Sequence, residues 1–233
     1  MSIADKLTTI AENVPKVYEA GKAAGGGTDA GIDLFWETFQ KGGVGTINCA
    51  DMKFGYGRWT DETFKPKYPL VLVGDGSNMF REATITNYDA LKMVDFSKVT
   101  NFNYMFRTSK ITHLGVIDTR GATNNMFNET FYGAHELETI DKFILKEDGS
   151  QGFIIPFVAA KLANITFEGV IGQDIYLHDC KNLTHASLMS VIGCLKDYSG
   201  TETTKRLQIA SANLAKLTDE EKAIATQRGW TLA

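Results

Sequence analysis

An asparagine followed within two residues by Met-Phe occurs three times in the middle of this 233-residue chain. The copies are Asn78-Met79-Phe80, Asn103-Tyr104-Met105-Phe106 and Asn124-Asn125-Met126-Phe127. An apolar ladder follows each of them: Leu91-x-x-Val94-x-Phe96, then Ile111-x-x-Leu114 with Ile117, then Leu137-x-x-Ile140 with Phe143. Leu162-x-x-Ile165-x-Phe167 continues the series, and Ile175-x-Leu177 adds a shorter fifth rung. The first residues of the four full ladders, 91, 111, 137 and 162, are 20, 26 and 25 positions apart. A short apolar segment cannot bury its face alone, so a unit that recurs at this spacing must pack on copies of itself. That requirement constrains the fold more than any other feature of the sequence.

Periods between 20 and 29 are those of leucine-rich repeats. The expected fold is therefore α/β: a short leucine-rich-repeat-like solenoid, its strands joined by irregular or helical connections, preceded by an N-terminal helical segment. The end of the chain reads as a closing unit. Leu183, Leu188, Val191, Ile192 and Leu195 outline a helix, Arg206 to Ile209 a strand, and Thr218-Asp219-Glu220-Glu221 a capping box worth about 1 kcal/mol. A further helix stops at Gly229, and Trp230-Thr231-Leu232 forms a last strand.

Ahead of the repeats, Ile3, Leu7, Ile10, Val14 and Val17 step by four, three, four and three. Leu7 and Val14 take the a positions of a heptad, and Ile3, Ile10 and Val17 the d positions, a choice that leans toward trimers or tetramers. Pro15 opposes one continuous helix, because it removes a backbone hydrogen bond at a cost of about 3 kcal/mol. Two short helices with Pro15 at the start of the second are the alternative, and packing of this segment on its own domain stays open beside oligomerisation. After Gly25-Gly26-Gly27, residues Ile32, Phe35, Trp36 and Phe39 mark a second helix with one apolar face, read as packing rather than as a ligand box. Residues 43–69 are rich in Gly and aromatics and read as a linking region. Leu70 to Val73 is a plain strand, closed by a turn at Gly74-Asp75-Gly76-Ser77. The expected organisation is 1–45 for attachment and oligomerisation, 46–73 as linker and 74–233 as the repeat domain with its cap.

The net charge of −4 lacks the clustered Lys and Arg of a nucleic-acid footprint. No window approaches the roughly 20 apolar residues of a membrane span. Asp5, Lys6 and Glu12 break any signal-peptide core, so synthesis is expected in the cytoplasm. Cys49, Cys180 and Cys194 are too few and too widely spaced for a disulfide framework, and buried free thiols are expected. His178-Asp179-Cys180 with His185 matches no usual metal spacing. No Cys-His pair or carboxylate pair is recognisable as catalytic, so neither catalytic residues nor a cofactor are expected. Exposed side chains on the repeat connections, with Arg107, His113, Arg120 and Tyr132 as candidates, would make an interaction surface.

The Met-Phe and Leu-x-x-Ile/Val-x-Phe units over residues 74–233 resemble BspA-like leucine-rich repeats. The opening Ser2-Ile3-Ala4-Asp5-Lys6-Leu7 to Lys16-Val17-Tyr18-Glu19-Ala20-Gly21-Lys22, followed by Phe35-Trp36-Glu37, is similar to proteins encoded among tail genes of phages and prophages of gut bacteria. The second resemblance implies a non-enzymatic bacteriophage virion protein, tail- or baseplate-associated or receptor-binding. Its partners would be other virion proteins and a host surface receptor, glycan or protein, and it would assemble as a homotrimer. A bacterial surface adhesin of the same repeat class is the alternative, and a glycan hydrolase a third reading that would need two carboxylates in a cleft. If Phe127 fills a repeat core, Phe127→Ala lowers unfolding stability by about 3 to 5 kcal/mol, measured by chemical denaturation; a neutral result would return the Met126-Phe127 stretch to the surface.

Overall fold

The computed structural model describes residues 36, 45–50, 52–123, 126–152, 157–159 and 161–233. The heptad residues Ile3, Leu7, Ile10, Val14 and Val17 lie outside them, as do Asn124 and Asn125. Among the described residues nine strands alternate apolar and polar residues in short runs. They are β1 (Thr46–Asn48), β2 (Leu70–Asp75), β3 (Val94–Asn101), β4 (His113–Asp118), β5 (Thr139–Ile144), β6 (Asn164–Glu168), β7 (Ile175–Leu177), β8 (Lys205–Ile209) and β9 (Trp230–Leu232). They pair in three separate three-stranded sheets, β1-β2-β3, β4-β5-β6 and β7-β8-β9, and every pairing is parallel and sequential. All the ladder residues named from the sequence, from Leu91 to Leu177, are buried.

This arrangement corrects the expected fold class. The described residues do not form a leucine-rich-repeat-like solenoid behind an N-terminal helical segment; they are mostly parallel strands in three small sheets. The helices among them are few and short: α1 (Tyr88–Leu91), α2 (His185–Cys194), α3 (Ser211–Leu214) and α4 (Asp219–Gln227). The physical reason lies in the corners between strands. Asn78, Tyr104 and Glu129 have φ of 60°, 58° and 50°, and Tyr56, Glu82 and Thr108 have φ of 60°, 55° and 52°. Left-handed residues cannot continue a right-handed helix, so these connections turn instead of coiling. Register slips within β2-β3 and β5-β6 interrupt the ladders further.

The corners stack with a period that the Met-Phe motif only partly reveals. Phe54, Phe80, Phe106, Phe131 and Phe157 form one column, with successive ring centroids 5.5, 5.5, 5.3 and 5.3 Å apart and interplanar angles of 28°, 11°, 2° and 15°. Their spacing in sequence is 26, 26, 25 and 26 residues. Phe127 does not belong to this column. It stacks on Phe102 at 5.5 Å and 11°, while the amide of Phe102 donates to the carbonyl of Met126. The third Met-Phe pair is thus a look-alike, four residues ahead of the rung that Phe131 occupies. Phe127 is fully buried, whereas Met126 is only half-buried.

Backbone amides knit each corner to the next. Phe54, Tyr56, Phe80, Glu82, Phe106 and Thr108 donate to the carbonyls of Met79, Arg81, Met105, Arg107, Thr130 and Tyr132, at 2.6 to 2.9 Å. The rungs approach so closely that a Cβ on Gly55 would lie 2.1 Å from the carbonyl oxygen of Arg81. Only glycine fits there.

Both ends of the stack are plugged. Trp36 is fully buried against Phe54, Trp59 and Phe64, and its indole N–H donates to the carbonyl of Thr63 at 2.7 Å. At the far end, α2 lies where a further strand would extend β4-β5-β6. The Ser187 hydroxyl accepts from the amide of Ile165 at 2.9 Å and donates to the carbonyl of Ala163 at 3.0 Å. One helical turn later, Ser190 Oγ accepts from the amide of Phe167 at 2.7 Å. Two serines three positions apart share a helix face, so they can serve the two inward-facing amides of a strand edge. Arg228 donates to the carbonyls of Ile192, Gly193 and Leu195 at the C-terminal end of α2, where a cation opposes the helix dipole. Thr218 and Glu221 form the expected capping box on α4, and Gly229, with φ of 81°, leads into β9. Replacing Ser187 with Ala leaves the buried Ile165 amide without its acceptor and lowers stability by about 1 to 3 kcal/mol in urea denaturation; an unchanged midpoint would show that the serine does not seal this edge.

Candidate functional site

The residues that follow Phe80, Phe106 and Phe131 reach the surface, and the 26- and 25-residue offsets place Arg81, Arg107 and Tyr132 at one position of successive rungs; Gly55, which follows Phe54, is buried. Tyr56 and Tyr132 are two of only four large hydrophobic residues exposed among the described residues; the others, Tyr68 and Val116, lie elsewhere in the chain. The guanidinium of Arg81 lies 5.7 Å from the Tyr56 ring centre, and Arg58 lies 5.8 Å from the same ring. The Arg107 guanidinium lies 5.6 Å from the Tyr104 ring and 5.3 Å from that of Tyr132. These distances are those of cation–π contacts. The result is two Tyr–Arg clusters on successive rungs, Tyr56 with Arg58 and Arg81 and Tyr104 with Arg107 and Tyr132, which together form a strip from Tyr56 to Tyr132.

Carboxylates and amides accompany the strip. Glu82 pairs with Arg81 at 3.3 Å, Asn78 Oδ1 accepts from Arg81 at 3.3 Å, and Glu129 pairs with Arg107 at 3.0 Å. The Asn128 side-chain amide donates to the Tyr104 hydroxyl at 2.9 Å. Pairs this exposed contribute at most about 1 kcal/mol of stability each. Their effect is to orient side chains that stand on a backbone already saturated with hydrogen bonds.

Of the four side chains singled out from the sequence, the structure brings two together. Arg107 and Tyr132 are partners in the strip. His113 belongs to another surface, on β4: its ring stacks on Tyr88 at 3.7 Å and 12°, and its Nε2 meets Asp141 Oδ1 at 2.7 Å. The Tyr88 hydroxyl donates to the other oxygen of Asp141. Burial acts to raise the Asp141 carboxyl, but the bonds from Tyr88 and His113 hold it below its usual range. Arg120 is turned back on its own corner, where it donates to both oxygens of Asp118 at 2.6 to 3.2 Å. There too burial works upward, and the Arg120 hydrogen bonds prevail and lower the carboxyl. Tyr56, Arg81, Tyr104, Glu82 and Glu129 escaped the sequence reading. Their signal was the recurrence of Arg one residue after the column Phe, at 81 and 107, visible only once the column register is known.

The remaining chemistry is quiet. Among the described residues no three His, Cys, Asp or Glu side chains gather as a metal site. His178 pairs with the adjacent Asp179 at 3.1 Å, while Cys180 is fully buried. No described buried side-chain nitrogen or oxygen lacks a hydrogen-bond partner. The shallow depression at Thr60, Asp61, Glu62 and Thr84 has its Asp61 carboxylate already occupied by the amides of Thr86 and Asn87 and the Thr86 hydroxyl. Among the described residues no helix is long and apolar enough to cross a membrane. No family model, curated protein or solved structure matches the chain.

Burial pushes the thiols up, Cys49 to about 11 and Cys180 to about 12, and raises Cys194 as well. A thiol reacts as its thiolate, so these cysteines are poor nucleophiles in the folded protein. Labelling with a thiol-directed maleimide at pH 8 should leave Cys49 and Cys180 unmodified in the native protein and modify both after denaturation, as read by peptide mass spectrometry. Rapid native labelling of either would contradict its packing.

Proposed function

We propose that this chain is a non-enzymatic structural protein of a bacteriophage virion, associated with the tail or baseplate, that recognises the host surface. The observation that carries the reading is the Tyr–Arg strip. Tyrosine and arginine are the side chains that concentrate recognition energy, and here they stand in register on a rigid stack. A parallel stack with both described ends plugged is suited to displaying a surface. The resemblance of residues 2–22 and 35–37 to proteins of phage tail gene clusters supplies the biological setting.

In this reading the N-terminal segment joins the chain to other virion proteins, with Ile3, Leu7, Ile10, Val14 and Val17 as the apolar seam of a homotrimer. Arg107 and Tyr132 belong to the recognition surface, whereas His113 and Arg120 are engaged by Asp141 and Asp118. Purified phage particles should contain the chain by mass spectrometry, and antibodies against it should decorate the tail. Added soluble protein should slow adsorption of the phage to its host in proportion to dose. A chain absent from purified particles would refute the proposal. Analytical ultracentrifugation should give a trimer that becomes a monomer on deleting residues 1–24; a full-length monomer at micromolar concentration would remove the assembly role of that segment.

A further inference from the structure

We infer that the Tyr56-to-Tyr132 strip binds a linear, uncharged glycan lying along the axis of the stack. The inference rests on the recognition role proposed above and names its ligand. Four rungs contribute to the strip, and the phenyl column beneath it sets their separation at 5.3 to 5.5 Å. A linear polysaccharide presents one ring after another with a repeat of the same order, so neighbouring sugars would meet neighbouring rungs. A globular partner has no such period to match.

The side chains suit hydroxyl groups better than anions. Each of the two central guanidinium groups already has a carboxylate beside it, Glu82 for Arg81 and Glu129 for Arg107, at 3.3 and 3.0 Å. An incoming phosphate or carboxylate would meet those carboxylates and gain little from the compensated arginines. A vicinal diol, by contrast, needs a donor and an acceptor side by side. Arg81 with Glu82 and Asn78 offers that combination, and Arg107 with Glu129 offers it again one rung on. Tyr56 and Tyr132 stand at the two ends as residues 42% and 41% exposed, and a pyranose would pack its C–H groups on the parts of these rings that Arg58, Arg81 and Arg107 do not cover.

The strip is also a poor protein interface. It is narrow, and stable protein contacts need a broad patch with an apolar centre. Pre-organisation favours a weakly held ligand such as a sugar chain, because the backbone under the strip has little freedom left to lose.

The test is titration of the full chain, followed by tyrosine fluorescence and calorimetry, against a panel of linear neutral hexasaccharides (glucans, mannans, galactans and N-acetylglucosamine polymers). Oligogalacturonate and polyphosphate serve as anionic probes. At least one neutral hexasaccharide should bind, with an affinity that is the same at low and high salt because no counterions are released. Tyr56→Ala and Tyr132→Ala should each weaken it about tenfold. Glu82→Gln, which leaves the rings in place, should weaken the same ligand, and unchanged thermal melting will show that the variants are folded. Salt-sensitive binding of the anionic probes alone would overturn the inference, as would binding of no member of the panel. Should the neutral glycans fail while the Tyr56 and Tyr132 variants still lose competition with phage adsorption, the glycan is refuted and the recognition role stands.

Discussion

The structure depends on a column of stacked phenylalanines. Phe54, Phe80, Phe106, Phe131 and Phe157 sit one above another, each fully buried or nearly so, with neighbouring rings nearly parallel through the middle of the column. Burying one such ring is worth about 2 to 3 kcal/mol, and an aromatic pair adds about 1. Each left-handed corner costs about 1 to 2 kcal/mol for a residue with a side chain. The two effects are of similar size, so the column is what allows Tyr56, Glu82 and Thr108 to hold conformations they would avoid in a free loop. Neither the rings nor the corners would persist without the rungs above and below.

The strip on the outside follows from the column on the inside. At Phe80, Phe106 and Phe131 the corner places its Phe inward and the next residue toward the surface, whereas Gly55 after Phe54 is buried. Arg81 and Arg107 hold the same position on successive rungs because Phe80 and Phe106 do. The cation–π contacts of Arg81 with Tyr56 and of Arg107 with Tyr132 join neighbouring rungs, and that of Arg107 with Tyr104 lies within one corner. The outer strip therefore follows the register of the core. A change that disturbs the register of the column also disturbs the spacing of the strip.

Parallel stacks carry an intrinsic liability, since the terminal strands expose unsatisfied amides. This chain meets it at β6 with a helix rather than another strand, using Ser187 and Ser190 as hydrogen-bonding substitutes. Arg228 in turn secures the C-terminal end of that helix from β9's approach. The closing unit is thus tied to the stack by side chains. The first three strands are joined by backbone ladders and by Trp36 at their outer end.

Residue spacing alone indicated recurring apolar rungs, which residues of those rungs are buried, and where the capping box and terminal strand fall. Those features depend on local periodicity and on side chains a few residues apart, and a linear reading captures both. Only the tertiary structure decided how the rungs are joined and aligned. Irregular and helical connections were both left open because spacing cannot reveal φ, and Asn78, Tyr104 and Glu129 turn left-handed under the constraint of the rungs they touch. The Met126-Phe127 pair looked like a third copy of the motif, yet stacking placed Phe127 on Phe102 and gave the column position to Phe131. For the same reason Arg107 and Tyr132 were legible as candidates while Tyr56 and Arg81 were not. Which residues share a face on a stack depends on its register, and contacts between rungs about 25 residues apart set that register.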